Sequence, residues 1–226
     1  GSPLIAGCSN SDGRIYFRNA GVKYKEGDFQ GAIADYTKAI EINPQDASAY
    51  INRASAKSAS KDIYGAIVDY TKAIEINPQI PDAYYNLASA KNELGDYQGA
   101  IADYTKAIDI DSQIDDYYYN RGNAKKKLGD YQGAIADYSK TLKINPKYAA
   151  AYTNRGNARD GFNDIQGSIS DYSRAIEINP QEVTAYRSRG IKREMIGDLI
   201  GACEDWKKAS SLGDKDAVGW VSNQCL

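Results

Sequence analysis

The feature that most constrains this chain is an internal repeat. Aligned with itself, the sequence repeats every 34 residues, six times without a gap, at 13–46, 47–80, 81–114, 115–148, 149–182 and 183–216. A period of about 20 to 50 residues is typical of proteins that stack one small structural unit many times. A unit of this size cannot bury its apolar face alone, so each unit is stabilised by its neighbours. The repeat predicts a single continuous array and argues against a string of separable modules.

Each repeat has the pattern of two helices. In repeat 81–114, apolar or small residues recur at helical spacing from Ala83 to Leu94. Gly95 and Asp96 then interrupt the pattern, because glycine accepts left-handed geometry at a helix end and aspartate caps the next helix start. A second helical pattern follows, from Ala100 to Ile108. The repeat unit is therefore predicted to be a helical hairpin.

Small and aromatic residues alternate at fixed positions in the six repeats. Small residues at positions eight and twenty would let two helices approach closely, and large aromatics would fill the space beside them. Position nineteen is always glycine, which predicts the close approach of a neighbouring helix. Position seven carries arginine in four repeats and position twenty-three is always aspartate, which predicts structural ion pairs on an exposed surface. The aromatics at position twenty-four are Tyr36, Tyr70, Tyr104, Tyr138, Tyr172 and Trp206.

This combination of features resembles the tetratricopeptide repeat (TPR) family. The aromatic, small, Gly-Asp, Ala, aromatic, Ala and Pro residues stand at that family's offsets over residues 13–216. The departures are mild: Lys61 and Asn163 replace the turn glycine, and Ser112 and Asp214 replace the proline. The resemblance implies an all-α, right-handed α-solenoid of six helix-turn-helix hairpins. Residues 217–226 are predicted to form a C-terminal capping helix.

The resemblance also implies where a partner would bind. In the TPR family, the first helix of each repeat lines a concave groove, and ligand contacts come from a few fixed positions on it. In this chain those positions carry amides that could bond the backbone of an extended peptide, and tyrosines that could supply apolar area. The alternative is that the asparagines tie adjacent helices together or face water. The predicted groove residues are Asn52, Tyr85, Asn86, Tyr119, Asn120, Asn123, Lys126, Asn154 and Asn157.

Several functions lack support in the sequence. The chain has no histidine, the commonest general base and metal ligand, and its three cysteines form no CxxC pair. We therefore predict no catalytic residues, no metal and no cofactor. With 28 basic and 30 acidic residues the charge is balanced, which gives no reason to expect nucleic-acid binding. Cys203 is predicted to be a buried free thiol that behaves as a small apolar residue.

The segment before the repeats, residues 1–12, is predicted to be a tail. Gly1 and Ser2 resemble an expression scar, and Ile5-Ala6-Gly7-Cys8 resembles the lipobox of bacterial lipoproteins. That resemblance makes Cys8 a candidate for lipidation and favours a lipid-anchored, extracytoplasmic protein, periplasmic or on the thylakoid side. Under the alternative, Cys8 lies in an unstructured lead-in and the protein is cytoplasmic. Any membrane attachment would be through this anchor.

Three functions remain in competition. The leading hypothesis is a scaffold or adaptor that binds a protein or peptide segment in the groove, with a role in assembling a membrane or envelope complex. The repeats resemble bacterial sequences, with cyanobacterial ones a candidate group. The alternative is a structural solenoid that self-assembles into dimers or filaments through exposed repeat edges. An enzyme or small-ligand receptor in the groove is the least supported hypothesis.

Overall fold

A computed structural model describes residues 10–225, and within them it is all-α. No strand is present in this part of the chain, and each 34-residue repeat contains one helical hairpin. The predicted solenoid of TPR-type hairpins is confirmed. The thirteen helices are α1 Asn10–Lys25, α2 Phe29–Ile42, α3 Ala47–Ala59, α4 Ile63–Ile76, α5 Pro81–Glu93, α6 Tyr97–Ile110, α7 Asp115–Lys127, α8 Tyr131–Ile144, α9 Ala149–Gly161, α10 Ile165–Ile178, α11 Val183–Met195, α12 Leu199–Ser211 and α13 Lys215–Gln224.

The contacts divide the chain into two compact units, which meet in sequence between Ser112 and Gln113. In the first unit, α1 to α6 form three hairpins, and each second helix packs on the first helix of the next hairpin. In the second unit, α7 to α12 do the same and α13 packs on α12. In both units successive first helices also touch one another: α1 contacts α3 and α3 contacts α5, and α7 contacts α9 and α9 contacts α11. Their side chains therefore share one face in each unit, here called the first-helix face.

The glycine at position nineteen has a different cause from the one predicted. In α6, the carboxylate of Asp96 caps the helix by accepting a hydrogen bond from the Gly99 amide at 2.9 Å. A Cβ added to Gly99 would collide with that same carboxylate, and the equivalent glycines of the other repeats stand in the same relation to their capping aspartates. The expected close approach of a neighbouring helix is wrong: the neighbour is the helix's own cap, three residues earlier.

The small residue at position eight and the ring at position twenty-four are fitted to one another. A Cβ on Gly156 would lie 2.7 Å from Cε1 of Tyr172, so this ring leaves no room for a larger residue. The Tyr172 hydroxyl then donates to Oδ1 of Asn157 at 2.8 Å. In the sixth hairpin Trp206 replaces the tyrosine, and its buried Nε1 has no hydrogen-bond partner within residues 10–225. In hairpins two to five the tyrosine hydroxyl is bonded to the serine or asparagine at position nine, whereas the sixth hairpin, with Trp206, carries Ile191 there.

The predicted arginine–aspartate pairs are present, but they are not exposed. Arg155 holds Asp171 with two hydrogen bonds, from Nε at 2.9 Å and from Nη2 at 2.7 Å, and Arg159 forms an ion pair with the same carboxylate at 3.0 Å. The Asp171 side chain is only 3% exposed. Arg155 also donates to the Ser139 hydroxyl of the preceding hairpin at 3.0 Å. The arginine therefore joins the two helices of its own hairpin and links them to the one before.

The prediction for Cys203 is wrong, because this residue forms a disulfide with Cys225. The bond joins α12 to the end of α13, and α13 covers the end of the array by packing Trp220 on Trp206, with ring centroids 5.4 Å apart. The two cysteines are 22 residues apart, a spacing that matches no short motif. Only the return of α13 onto α12 brings them together.

Candidate functional site

All nine predicted groove residues lie on first helices. Asn52 is on α3 and Tyr85 and Asn86 are on α5, in the first unit. In the second unit, α7 carries Tyr119, Asn120, Asn123 and Lys126, and α9 carries Asn154 and Asn157. Within the second unit, Tyr119, Asn123, Lys126 and Asn154 form a single polar cluster at the contact of α7 with α9.

Asn154 is the centre of this cluster. Its Nδ2 donates to the Tyr119 hydroxyl at 2.8 Å and to Oδ1 of Asn123 at 3.1 Å. Oδ1 of Asn123 also accepts from the Tyr138 hydroxyl at 2.7 Å. The Asn154 amide therefore joins two hairpins, which is the structural alternative to ligand binding that the sequence left open. From the part of the chain that is described, Oδ1 of Asn154 accepts one hydrogen bond, from Nζ of Lys126 at 3.1 Å.

Lys126 is the charged member of the cluster and is half-buried. Burial lowers the pKa of its ammonium, and the charge of neighbouring Lys127 lowers it further. Among the described residues no carboxylate pairs with Lys126, whereas the adjacent Lys125 pairs with Asp137 at 2.8 Å. Its only described hydrogen-bond acceptor is the neutral amide oxygen of Asn154.

An aromatic wall stands beside the cluster. The Tyr119 ring stacks on Tyr148 with centroids 4.8 Å apart and planes 26° apart. The Tyr148 hydroxyl donates to Oδ1 of Asp116 at 2.9 Å, and burial and this carboxylate raise the pKa of Tyr148. The sequence reasoning missed Tyr148, which is the N-cap residue of α9. An aromatic at a helix N-cap, where small polar residues are preferred, is the signal that could have found it.

The asparagines of the first unit differ from Asn154 in their hydrogen bonding. Asn52 and Asn86 are half-buried, and neither amide has a hydrogen-bond partner among the described residues. Tyr85 lies next to Asn86 and packs on Tyr104 with ring centroids 5.7 Å apart. In the second unit, Asn120 bonds the carbonyl of Asp116 at 3.0 Å, within its own helix. The four asparagines in register therefore split into two without a partner and two that are engaged.

Other kinds of site receive no support from the part of the chain that is described. Residues 10–225 hold no group of acids or cysteines that could bind a metal ion. None of these helices is long and apolar enough to cross a membrane. A pocket of about 540 Å³ lies between α1, the end of α2 and the start of α3, away from every predicted residue. Cys8 lies outside the described residues.

The fold and this face define a class, the helical-repeat scaffolds, which bind other proteins along the surface made by stacked repeats. Tetratricopeptide repeat models match residues 22–61, 47–80, 69–102, 89–129, 116–148 and 149–182. The chain belongs to the tetratricopeptide repeat family. Comparison with the curated proteins finds no significant match.

Solved structures agree with this assignment. The chain is similar to a crystal structure of MamA, with 26% identity, a TM-score of 0.72, and coverage of 77% of this chain and 95% of that one. YrrB, described as a TPR protein with an unusual peptide-binding site, shares 23% identity, with a TM-score of 0.72 and coverage of 83% and 97%. PilF of Pseudomonas aeruginosa shares 15% identity, with a TM-score of 0.77 and coverage of 94% and 98%.

Proposed function

We propose that this protein is an interaction scaffold that binds an extended peptide segment of a partner protein on a first-helix face, foremost that of the second unit. The observation that carries the proposal is Lys126, a half-buried ammonium with no acidic partner among the described residues. Burying a charge is costly unless it is paired. A ligand carboxylate at this point would complete the hydrogen bonding of Lys126 and offset the cost of its burial.

The neighbouring bases show why Lys126 stands out. Lys125, one residue earlier, lies 2.8 Å from Asp137. Lys192, on α11, lies 2.6 Å from Asp160. Each of these cations already has a carboxylate from a packed neighbour. Lys126 instead contacts an amide, which supplies a hydrogen-bond acceptor but no negative charge. Among the described residues its positive charge is therefore not balanced by a carboxylate.

The surroundings suit a peptide better than a free anion. The stacked pair Tyr119 and Tyr148 offers apolar area with polar tips, which is the kind of surface that binds side chains of mixed character. In the first unit, Asn52 and Asn86 offer a donor and an acceptor each to a peptide backbone. YrrB has a peptide-binding site on a fold of this type. At 23% identity the likeness concerns the fold, so the proposal for this chain rests on its own residues.

A peptide-display selection tests the proposal. Random peptides would be selected on the wild-type protein and the enriched ones measured by calorimetry against Lys126→Met and against Lys140→Met, an exposed lysine on α8. We expect enriched peptides to share an acidic residue or a terminal carboxylate. Their affinity should fall about tenfold or more in Lys126→Met, because a charged hydrogen bond contributes about 1.5–3 kcal/mol. Lys140→Met should bind as the wild type does.

A failed selection, or equal binding by Lys126→Met, would contradict the site. Tyr119 is unsuitable as a first test, because removing its ring also breaks the hydrogen bond from Asn154 and the stack on Tyr148. Asn86→Ala is the cleaner variant in the first unit, since the amide of Asn86 has no described partner. It should keep the melting temperature of the wild type and weaken a peptide that binds the first-helix face of the first unit.

We also propose that the scaffold acts outside the cytoplasm, in the assembly of a membrane or envelope complex. Two features support this location: the lipobox-like sequence that ends at Cys8, and the Cys203–Cys225 disulfide, since disulfides persist in oxidising compartments. Thiol labelling of the protein in its source cells, before any reduction, tests the second feature. Full labelling of Cys203 and Cys225 would contradict an oxidising location.

A further inference from the structure

The hairpin turns of the second unit carry a row of exposed apolar side chains. We call this row the turn ridge; its members are Leu128, Phe162, Met195, Ile196, Leu199 and Ile200, which are 48%, 60%, 58%, 47%, 45% and 80% exposed. Three of them are the C-cap residues of α7, α9 and α11, the same place in three successive hairpins. The first-helix face plays no part in this surface.

A contact bridges the fourth and fifth hairpins at the ridge. A Cβ on Gly161 would lie 2.7 Å from Cε1 of Tyr131, so the first turn of α8 reaches the end of α9. Gly161 directly precedes Phe162, and Tyr131 follows Leu128 by three residues. Leu128 and Phe162 therefore lie close in sequence to the two residues, Tyr131 and Gly161, that make this contact.

The fold itself does not require apolar residues at these turns. The equivalent C-cap position carries an exposed leucine in the third hairpin as well, Leu94, but it holds Glu26 in the first hairpin and Ser60 in the second. Both hairpins form the same turn as the later ones, with a left-handed residue next, Gly27 at φ 83° and Lys61 at φ 70°. Since a polar side chain serves the turn equally well, the exposed leucine, phenylalanine and isoleucine have another reason to be there.

The exposed apolar area of the ridge approaches the area that one partner buries in a standard protein–protein interface. With full side-chain areas on the order of 150–200 Å², the exposed fractions amount to roughly 600 Å², the upper end for the largest apolar patch on an ordinary monomer. A standard interface buries about 800 Å² on each partner. The ridge alone would supply most of that, with its polar rim supplying the remainder.

The charged residues at the two ends of the ridge favour a second copy of this chain as the partner. Lys127 stands beside Leu128 at one end, and Glu194 stands beside Met195 at the other. Both side chains are exposed, and neither forms an ion pair among the described residues. In a two-fold contact each end of one ridge meets the opposite end of its copy, so Lys127 would face Glu194 twice. An anionic lipid surface fits less well, because the exposed Asp130, Asp164 and Asp198 lie along the rim.

We propose that the turn ridge is the interface of an antiparallel homodimer, in which Phe162 lies near the two-fold axis and Lys127 pairs with Glu194 of the copy. The ridge and the Lys126 cluster use different side chains, although Lys127 directly follows Lys126 in the chain. Two such chains would present two first-helix faces to a partner.

Sedimentation equilibrium over a wide concentration range tests the dimer. The wild-type mass should rise from 24.7 kDa toward twice that value with increasing concentration. Phe162→Ser copies the serine of the second hairpin, so it should fold, and it should weaken the dimer at least about tenfold because it removes a central aromatic from both copies. Tyr64→Gln, which changes a 73% exposed side chain on α4 of the first unit, is the control and should leave the dimer unchanged.

A charge swap tests the orientation. Lys127→Glu should weaken the dimer about threefold to tenfold, and adding Glu194→Lys should restore it. A wild type that keeps a mass of 24.7 kDa at every concentration would overturn the dimer, and a dimer unaffected by Phe162→Ser would overturn the ridge as its interface. A double variant that fails to recover would overturn the antiparallel arrangement. Ridge-dependent binding of a monomeric chain to phosphatidylcholine vesicles would replace the second copy with a lipid surface.

Discussion

Replacing Asp171 with asparagine removes one negative charge from beneath two arginines. The carboxylate accepts two hydrogen bonds of 2.7 and 2.9 Å from Arg155 and forms an ion pair with Arg159 at 3.0 Å, and its side chain is 3% exposed. The two arginine side chains are 16% and 26% exposed, so they are only partly hydrated once their partner is neutral. The substitution therefore leaves two poorly solvated cations about 3 Å from a neutral amide.

Removing one partner of a buried ion pair costs about 3–5 kcal/mol. Because both arginines retain some contact with water, we expect a loss near the lower limit, about 3 kcal/mol. That is a large share of a stability of about 5–15 kcal/mol. With a urea m-value of about 3 kcal/mol/M for a chain of this size, the midpoint of unfolding should fall by about 1 M.

Urea unfolding followed by circular dichroism measures this loss, and Glu177→Gln is the matched control. Glu177 also pairs with an arginine, Arg174 at 2.7 Å, but the two side chains are 62% and 52% exposed. Such a pair contributes at most about 0.5 kcal/mol, so the control should unfold at nearly the wild-type midpoint. If Asp171→Asn and Glu177→Gln shift the midpoint equally, the buried carboxylate does not organise the hairpin and the argument fails.

Three further predictions follow from other contacts in the structure. Gly99→Ala should leave stability nearly unchanged, because the gain of about 0.5–1 kcal/mol from alanine is offset by displacement of the Asp96 cap, which is worth about 1 kcal/mol. Breaking the Cys203–Cys225 disulfide, which closes a loop of 22 residues, should cost about 3 kcal/mol and free α13, seen as faster hydrogen exchange in that helix. Burial raises the pKa of Tyr104 to about 12, so stability should decline as pH rises from about 10, where unfolded tyrosine ionises, to about 12.

Each of these expectations has a decisive comparison. In the Asp96→Ala background the same Gly99→Ala change should become stabilising, and an unchanged effect there would exclude a conflict with the cap. Cys203→Ser and reduction of the wild type should release α13 to the same degree; no change in exchange would mean that the tryptophan packing alone holds the helix. The alkaline loss of stability should diminish in Tyr104→Phe, and an undiminished loss would assign it to other tyrosines.

The sequence alone predicted the hairpins because each depends on contacts within one repeat. The capping aspartate, the turn residue and the 3.6-residue apolar pattern lie within a few residues of each other, so the period displays them directly. The pairing of Arg155 with Asp171 could also be predicted, because both positions recur with the repeat. Its burial could not, since that depends on how α9 and α10 pack together and on the preceding hairpin.

The outcome for the groove residues shows the limit of such reasoning. Asn52, Asn86, Asn120 and Asn154 share one position in the repeat, and the sequence could only list them as equivalent. Their surroundings differ, because the hydrogen-bond partners of an amide come from the adjacent helix and from the residue at position nine. Asn154 meets the amide of Asn123, where the earlier repeats carry serine or glycine, and it is drawn into the contact between hairpins.

What the sequence determined by itself was the architecture, since a repeat of 34 residues with apolar faces at helical spacing can bury those faces only by stacking. The tertiary structure decided which polar groups form hydrogen bonds or ion pairs between the stacked helices and which stay available for a ligand. It brought Cys203 and Cys225 together across a turn of the chain, and it left Lys126 half-buried without an acid. These outcomes depend on distances between residues far apart in sequence, and those distances are fixed only when the helices pack.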